Sequence, residues 1–119
     1  MLLLLTLALL AAADRPVVVS ALTTGQLAAQ CQGKDKDPTA SFCTGYILGV
    51  FDTLSVARQI CPSPERASNI AVLAAARKYL RKHDDSDAAP SFVIRAGLRE
   101  AFPCPVKTPP RTKTRRTRK

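Results

Sequence analysis

The chain has 119 residues, with 18 Lys or Arg against nine Asp or Glu, and a formal net charge of +9. This length excludes more than one small domain, and the apolar core of such a domain stabilises it only marginally. Seven of the basic residues lie in 105–119, which contains no acid, so the rest of the chain is nearly neutral.

An apolar N-terminal segment, residues 1–13, is predicted to be a signal peptide. Leu2 begins a run made mostly of leucine, and three alanines ending at Ala13 supply the small residues that a signal peptidase accepts. The segment is shorter than the roughly 20 apolar residues that span a bilayer. A buried N-terminal helix is the alternative, and the lack of a basic residue before the run favours a translation start further upstream. We expect an exported, periplasmic chain that begins at Asp14.

The first two predicted helices are joined by a polar loop. Thr24 is the expected N-cap of a first helix that ends near Cys31. Asp37 and Pro38 form a cap-then-proline pattern, which predicts a long second helix over 37–60. Its apolar side chains recur every four residues, in a stripe made of Phe42, Tyr46, Val50 and Leu54 that Ile47 and Phe51 widen.

Two glycines, Gly45 and Gly49, lie on the same side of this second helix. Each weakens a helix by roughly 1 kcal/mol relative to alanine. Close packing of another helix of the same domain is the expected compensation, and packing against a second copy of the chain is the alternative.

Two further helices complete the predicted domain. Ser63 and Pro64 repeat the cap-then-proline pattern and open a third helix that reaches His83, while Asp87 is expected to cap a fourth over 88–101. The fold class is therefore all-α, a small four-helix domain over 14–104 stapled by two disulfides. Residues 105–119 are too polar to form a core, so a disordered basic tail is expected there.

Four cysteines in an exported small protein indicate disulfides. Antiparallel helices would place the end of the first helix beside the start of the second, and the ends of the second and fourth together. Of the three possible connectivities, we therefore prefer Cys31–Cys43 with Cys61–Cys104. A structural zinc site is the alternative, which the lack of a C-x-x-C pair disfavours.

Catalytic motifs are not found in the sequence. His83, the only histidine, lies at a basic helix end, where helix capping explains it better than general-base chemistry does. The sequence has neither a Gly-x-Ser-x-Gly motif nor a glycine-rich phosphate loop. We expect no enzyme, no cofactor and no metal.

A family resemblance is carried by QLAAQCQG, by SFCTGYILGVFDTL and by KYLRKHDDSDAAPSFVIRAGLREAFPC. Over residues 22–104 the chain resembles the Tai/Rap family of type VI secretion immunity proteins. The most specific parts are the F-C-x-G-Y-I-x-G-V-x-D pattern that begins at Phe42 and the closing A-L-x-x-A-F-P-C that ends at Cys104. The chain departs from the second pattern at Gly97, where the family has alanine.

The resemblance implies a helical exported protein that protects a bacterium from peptidoglycan amidase effectors. Family members act as dimers that insert a loop into the amidase cleft, so an amidase effector and a second copy of the chain are the expected partners. The matching loop is 83–89, and its candidate partner-binding residues are His83, Asp84, Asp85 and Asp87. A solvated turn that caps the fourth helix explains this acidic stretch equally well.

The basic tail supports an alternative function. An exported envelope protein without a toxin partner would bind anionic polymers through residues 105–119, with a steep salt dependence. Nucleic acid is a poor partner, because this segment has no aromatic residue on which a base could stack.

Overall fold

The structure is a computed structural model that describes residues 15–107. It contains four helices, α1 (Thr24–Gln30), α2 (Phe42–Val56), α3 (Asn69–Lys82) and α4 (Pro90–Ala101), and no strand in this range. The predicted all-α, four-helix class is confirmed. The predicted signal peptide and most of the predicted tail, 108–119, lie outside the described residues.

Hydroxyl side chains cap the first three helices. Thr23, Ser41 and Ser68 each accept a hydrogen bond from a backbone N–H in the first turn of the helix that follows. The first cap is therefore Thr23, one residue before the predicted one. Thr24 instead lies in the helix, fully buried.

Neither cap-then-proline pattern begins a helix, and Asp87 is not a helix cap either, so these three predictions are wrong. Asp37 Oδ1 accepts the Thr39 N–H at 2.9 Å and so closes a turn. The Ser63 carbonyl accepts two N–H groups within its own turn, at 3.0 Å each. Asp87 caps nothing, because the N-cap of α4 is Ala89, which makes no side-chain cap bond. Aspartate or serine before proline is equally typical of turns, and only the next residues decide between the two.

The second helix also ends earlier than predicted, at Val56. Arg58 follows with φ at 55° and is the one non-glycine residue with positive φ between residues 15 and 107. The Gln59 N–H donates to the Leu54 carbonyl at 2.9 Å, the bond that spans the turn in a Schellman motif. This cap turns the chain away from the helix axis.

The core lies between α2, α3 and α4, with α1 packed across it, and the interface of α3 with α4 is the most extensive. The second helix buries Cys43, Ile47 and Leu54, so only Leu54 of the predicted stripe and Ile47 of its widening are buried. Phe42 is exposed and Tyr46 is half-buried. The largest fully buried apolar side chains are Leu27, Ile47, Ile60, Val72, Leu73, Leu80, Ile94 and Leu98.

The glycine that permits close packing is Gly97. A Cβ atom there would lie 2.6 Å from both Cβ and Cγ of Tyr79 on α3. At Gly45 and Gly49 a Cβ atom would have no neighbour within 4 Å, and both residues are exposed. The expectation that another helix of the domain packs on these two glycines is therefore wrong.

Both preferred disulfides are confirmed. Cys31–Cys43 joins the end of α1 to the start of α2, with a Cα–Cα distance of 5.1 Å. Cys61–Cys104 joins the segments that follow α2 and α4, at 4.7 Å. No cysteine remains as a free thiol.

Candidate functional site

The candidate turn, residues 83–89, joins α3 to α4 and closes on its own backbone. His83 is the C-cap of α3, and its N–H donates to the Leu80 carbonyl at 3.2 Å. The Ser86 N–H donates to the His83 carbonyl at 3.0 Å, and Ser86 Oγ accepts the Ala88 N–H at 3.2 Å. The turn therefore has a defined conformation without any contribution from its carboxylates.

The first turn of α1 contacts this candidate turn and holds it in place. The hydroxyl of Thr24 donates to the Ala88 carbonyl at 2.6 Å, a bond between residues 64 apart in sequence. Gly25 also packs against the turn, since a Cβ atom there would lie 3.5 Å from the Asp84 carbonyl oxygen. Because Thr24 is fully buried, its hydrogen bond fixes the turn to the body of the domain.

The three carboxylates of the turn have no ion pair or side-chain hydrogen bond among residues 15–107. Asp84, Asp85 and Asp87 are exposed, and the ion pair found among residues 15–107 joins Arg81 to Asp35 instead. The His83 ring is also exposed and packs on Tyr79, with ring centroids 4.2 Å apart. The four candidate residues thus lie together in one short turn, and capping of α4 does not account for its acidity.

A second loop, residues 32–38, lies near the turn and was not singled out by the sequence. Arg77 on α3 is only 3% exposed, and its Nη1 donates to the Lys34 carbonyl at 2.6 Å. Arg81, one turn later, pairs with Asp35. Basic residues at i and i+4 of α3 therefore hold the loop.

The same contacts shift the ionisation of the loop. The hydrogen bond from Arg81 lowers the pKa of Asp35 below its ordinary value and raises the pKa of Arg81. Hydrogen bonds from Thr39 lower the pKa of Asp37. Both carboxylates are charged at neutral pH, and both serve the loop's own conformation.

A polar concavity of about 460 Å³ separates this loop from the turn. Asp84 and Arg81 stand on one side of it, and the backbone near Gly33 forms the other. Its remaining wall is the exposed side of α1 around Ala28. A side chain of a partner that carries hydrogen-bond donors would fit here, beside a carboxylate.

A second surface, the open face of α2, is apolar. A groove of about 590 Å³ runs along Gly45, Gly49 and Val50, and Phe92 of α4 forms its other wall. The Arg95 guanidinium lies 5.2 Å from the centroid of the Phe92 ring. The two glycines leave room there for another helix to approach closely.

Metal and membrane sites are not found in the part of the chain that the structure describes. No group of three or more His, Cys, Asp or Glu side chains within 15–107 is placed to hold a metal ion. None of the four helices has the length and apolar content that crossing a membrane requires.

Comparison with known proteins identifies the fold's family. Residues 23–104 match the family model of the Rap1a immunity proteins, which covers all four helices and both disulfides. No curated protein and no solved structure gives a significant match. Because the match spans more than half of the sequence, the chain belongs to the family of Rap1a immunity proteins.

Proposed function

We propose that the chain is a periplasmic immunity protein that binds a cell-wall amidase effector of the type VI secretion system and occludes its active-site cleft. Membership of the immunity family supports a protective, non-catalytic role for the chain. The two disulfides support an oxidising compartment outside the cytosol.

The observation that carries the proposal is the turn over 83–89. Its three carboxylates are exposed and form no ion pair in the part of the chain that the structure describes, while its backbone is fixed by the Thr24 bond to Ala88. Charged groups without internal partners are available to hydrogen-bond donors of another protein. Each such contact stabilises a complex by roughly 1.5–3 kcal/mol when it forms.

The fixed backbone of the turn lowers the cost of binding. A segment that is already in its bound conformation loses little conformational entropy when it enters a cleft. The neighbouring concavity beside Asp84 and Arg81 gives the rim of that cleft a place to dock. Occlusion then needs no chemical step, because the inserted turn excludes the peptidoglycan substrate.

We further propose that the open face of α2 packs against a second copy of the chain. Gly45 and Gly49 present bare backbone, and Phe42 is 57% exposed beside Tyr46, with ring centroids 6.0 Å apart. An exposed apolar groove of this kind is typical of a protein–protein contact.

Periplasmic co-expression with the amidase encoded nearest to the gene tests the main proposal, with cell lysis as the readout. The wild-type chain should prevent lysis. Reversing two charges of the turn, in the variant Asp84→Lys with Asp85→Lys, should abolish protection and weaken binding of the purified amidase by at least about tenfold.

The matched control reverses two exposed acids elsewhere, Glu65→Lys with Glu100→Lys, which gives the same net charge. This control should protect as well as the wild type does. Equal protection by both variants, at equal expression and melting temperature, would remove the turn from the mechanism. Lysis with the wild-type chain would exclude that amidase as the partner.

A further inference from the structure

We propose that Cys61–Cys104 is a site of reversible reduction by a dithiol, while Cys31–Cys43 is a part of the core that resists reduction. We call Cys61–Cys104 the surface disulfide. The two bonds differ in what covers them. Cys31 is only 3% exposed and Cys43 is fully buried. Cys61 is exposed and Cys104 is half-buried, so a reductant in solution reaches the surface disulfide first.

Access to the sulfur atoms decides the rate of this chemistry. Reduction begins when a thiolate attacks one sulfur of the bond, so the rate depends on which sulfur the reductant can reach. Cys31 and Cys43 belong to the same hydrophobic core cluster as Leu27 and Ile47. Their bond can be attacked only after the core opens locally, which is rare in a packed domain. The surface disulfide needs no such opening.

The segments that carry the surface disulfide are also held by other contacts. Ile60 and Phe102, which precede the two cysteines by one and two residues, are both buried. The Cys61 N–H donates to the Phe102 carbonyl at 3.0 Å. The Phe102 ring meets the Phe51 ring edge-on, with centroids 5.9 Å apart. Because these contacts do not involve the bond between the sulfurs, the two cysteines remain neighbours after reduction.

A hydrogen-bond acceptor for the reduced form is already in place. The Arg58 carbonyl oxygen lies 3.8 Å from Cys104 Sγ. In the disulfide this is a packing contact, because the bonded sulfur carries no proton. In the reduced chain the Cys104 thiol would donate a weak hydrogen bond to the same oxygen. The geometry therefore suits the oxidised and the reduced form alike, as a reversible site requires.

The reductant is a dithiol because the fold keeps the two cysteines together. One thiolate of the dithiol attacks Cys61, the more exposed cysteine, the bond between the sulfurs breaks, and Cys104 leaves as a thiolate. The second thiolate of the dithiol then attacks the mixed disulfide and releases Cys61. Two electrons and the two protons of the dithiol pass to the protein, and the dithiol becomes a disulfide. With a monothiol, the neighbouring Cys104 thiolate re-forms the original bond, since an intramolecular attack is favoured.

Reduction changes the stability of the domain and leaves the turn over 83–89 in place. The surface disulfide closes a loop between residues 43 apart in sequence, which contains α3 and α4. Opening this loop gives the unfolded chain more conformational freedom and so favours unfolding. The turn precedes α4 and Cys104 follows it, and the 12 residues of the helix span roughly 18 Å. The inference therefore does not depend on the identity of the effector.

Reduction of the full, folded chain by dithiothreitol tests the proposal. Samples are quenched with N-ethylmaleimide at increasing times, and mass spectrometry of the peptides identifies which cysteines have been reduced. Cys61 and Cys104 should be labelled at least about 100-fold faster than Cys31 and Cys43. Equal rates, or earlier labelling of the buried pair, would overturn the proposal.

The same experiment in denaturing urea is the matched control. Neither bond is covered once the chain is unfolded, so the two should then be reduced at rates within roughly threefold of each other. This result would show that the fold causes the selectivity. A difference of about 100-fold that persists in urea would assign the selectivity to the local sequence and contradict the proposal.

Trapping of the mixed disulfide identifies the attacked sulfur and the class of reductant. A protein dithiol with a Cys-x-x-Cys motif, whose second cysteine is replaced by serine, should be trapped on Cys61. Glutathione, a monothiol, should reduce the surface disulfide at least about tenfold less than dithiothreitol does at the same thiol concentration. Trapping on Cys31 or Cys43, or equal reduction by glutathione, would contradict the proposal.

A variant without the surface disulfide measures what reduction does to the domain. Cys61→Ser with Cys104→Ser should keep the helical circular dichroism spectrum and melt at least about 10 °C below the wild type. The reduced wild-type chain should melt at a similarly lowered temperature and recover fully when oxidised glutathione replaces dithiothreitol. Loss of the helical spectrum in the variant, or a reduced chain that does not recover, would show that the site is not reversible and overturn the proposal.

Discussion

The closed interface of α3 with α4 and the open face of α2 both contain glycine, for opposite reasons. Gly97 lets the Tyr79 ring lie against the backbone of α4, where a Cβ atom would come within 2.6 Å. A Cβ atom at Gly45 or Gly49 would meet nothing within 4 Å, and both glycines weaken their own helix. A glycine inside a helix therefore marks either a contact already made within the domain or a surface left open.

The largest expected effect is at the closed interface. Gly97→Ala should lower the free energy of unfolding by roughly 2–3 kcal/mol, because the new methyl group clashes with the first atoms of the Tyr79 side chain, which cannot swing away. Urea denaturation followed by circular dichroism measures the change. The double variant with Tyr79→Gly, which removes both clashing atoms, should lose less stability than the sum of the losses in the two single variants. Simple additivity would contradict the close contact.

The open face should respond in the opposite direction. Gly45→Ala and Gly49→Ala should each raise the free energy of unfolding of the monomer by about 1 kcal/mol, since alanine is the better helix former and the space is empty. Sedimentation velocity of the same variants tests the proposed dimer, which the added methyl groups should weaken. Greater stability with unchanged self-association would remove these glycines from any dimer contact.

Two loop positions with positive φ refine the same comparison. Gly33→Ala should lower the free energy of unfolding by about 1 kcal/mol, because the left-handed backbone at φ 117° strains alanine even though its Cβ atom would have no neighbour within 4 Å. Arg58→Gly should raise the free energy of unfolding by about 1 kcal/mol, because glycine relieves the strain at φ 55°. Thermal melts of both variants provide the test, and a loss of stability in Arg58→Gly would show that its side chain contributes contacts.

Acid should loosen the loop over 32–38 and leave the open face of α2 unchanged. Arg81 lowers the pKa of Asp35 below its ordinary value of 3.8, so the ion pair stabilises the folded chain above that value. This stability is lost as the pH falls through the lowered pKa. Amide chemical shifts of the loop should therefore change below about pH 4, with those of Gly45 and Gly49 as the internal reference. In Asp35→Asn the loop should already be loose at neutral pH. Loop amide chemical shifts equal to those of the wild type at neutral pH would contradict the ion pair.

Much of the fold could be predicted from local pattern. Helix order alone indicated Cys31–Cys43 and Cys61–Cys104, because antiparallel helices bring particular ends together. Helix starts were less predictable. A cap residue before proline forms a turn or a helix N-terminus with the same local hydrogen bonds, and Asp37 forms a turn.

The charges of the candidate turn and the family resemblance predicted its position. They did not predict the contacts that hold it in place. The sequence shows three aspartates within 83–89, and it gives no sign that Thr24, 64 residues before Ala88, holds the turn. Nor does it show that Arg77 is buried and bonded to the Lys34 carbonyl. Contacts between distant residues depend on how the helices pack, which local spacing does not encode.

The sequence by itself determined the helical class, the disulfide framework, the immunity family and the strongly basic end, because these depend on composition, short-range spacing and recurring motifs. The tertiary structure decided which glycine is covered, which carboxylates within residues 15–107 stay without an ion pair and which distant residue holds the turn over 83–89. The physical reason is the same in each case. A side chain's partners are set by the surfaces that helices bring together, and the same residue is buried, paired or open according to what lies across from it.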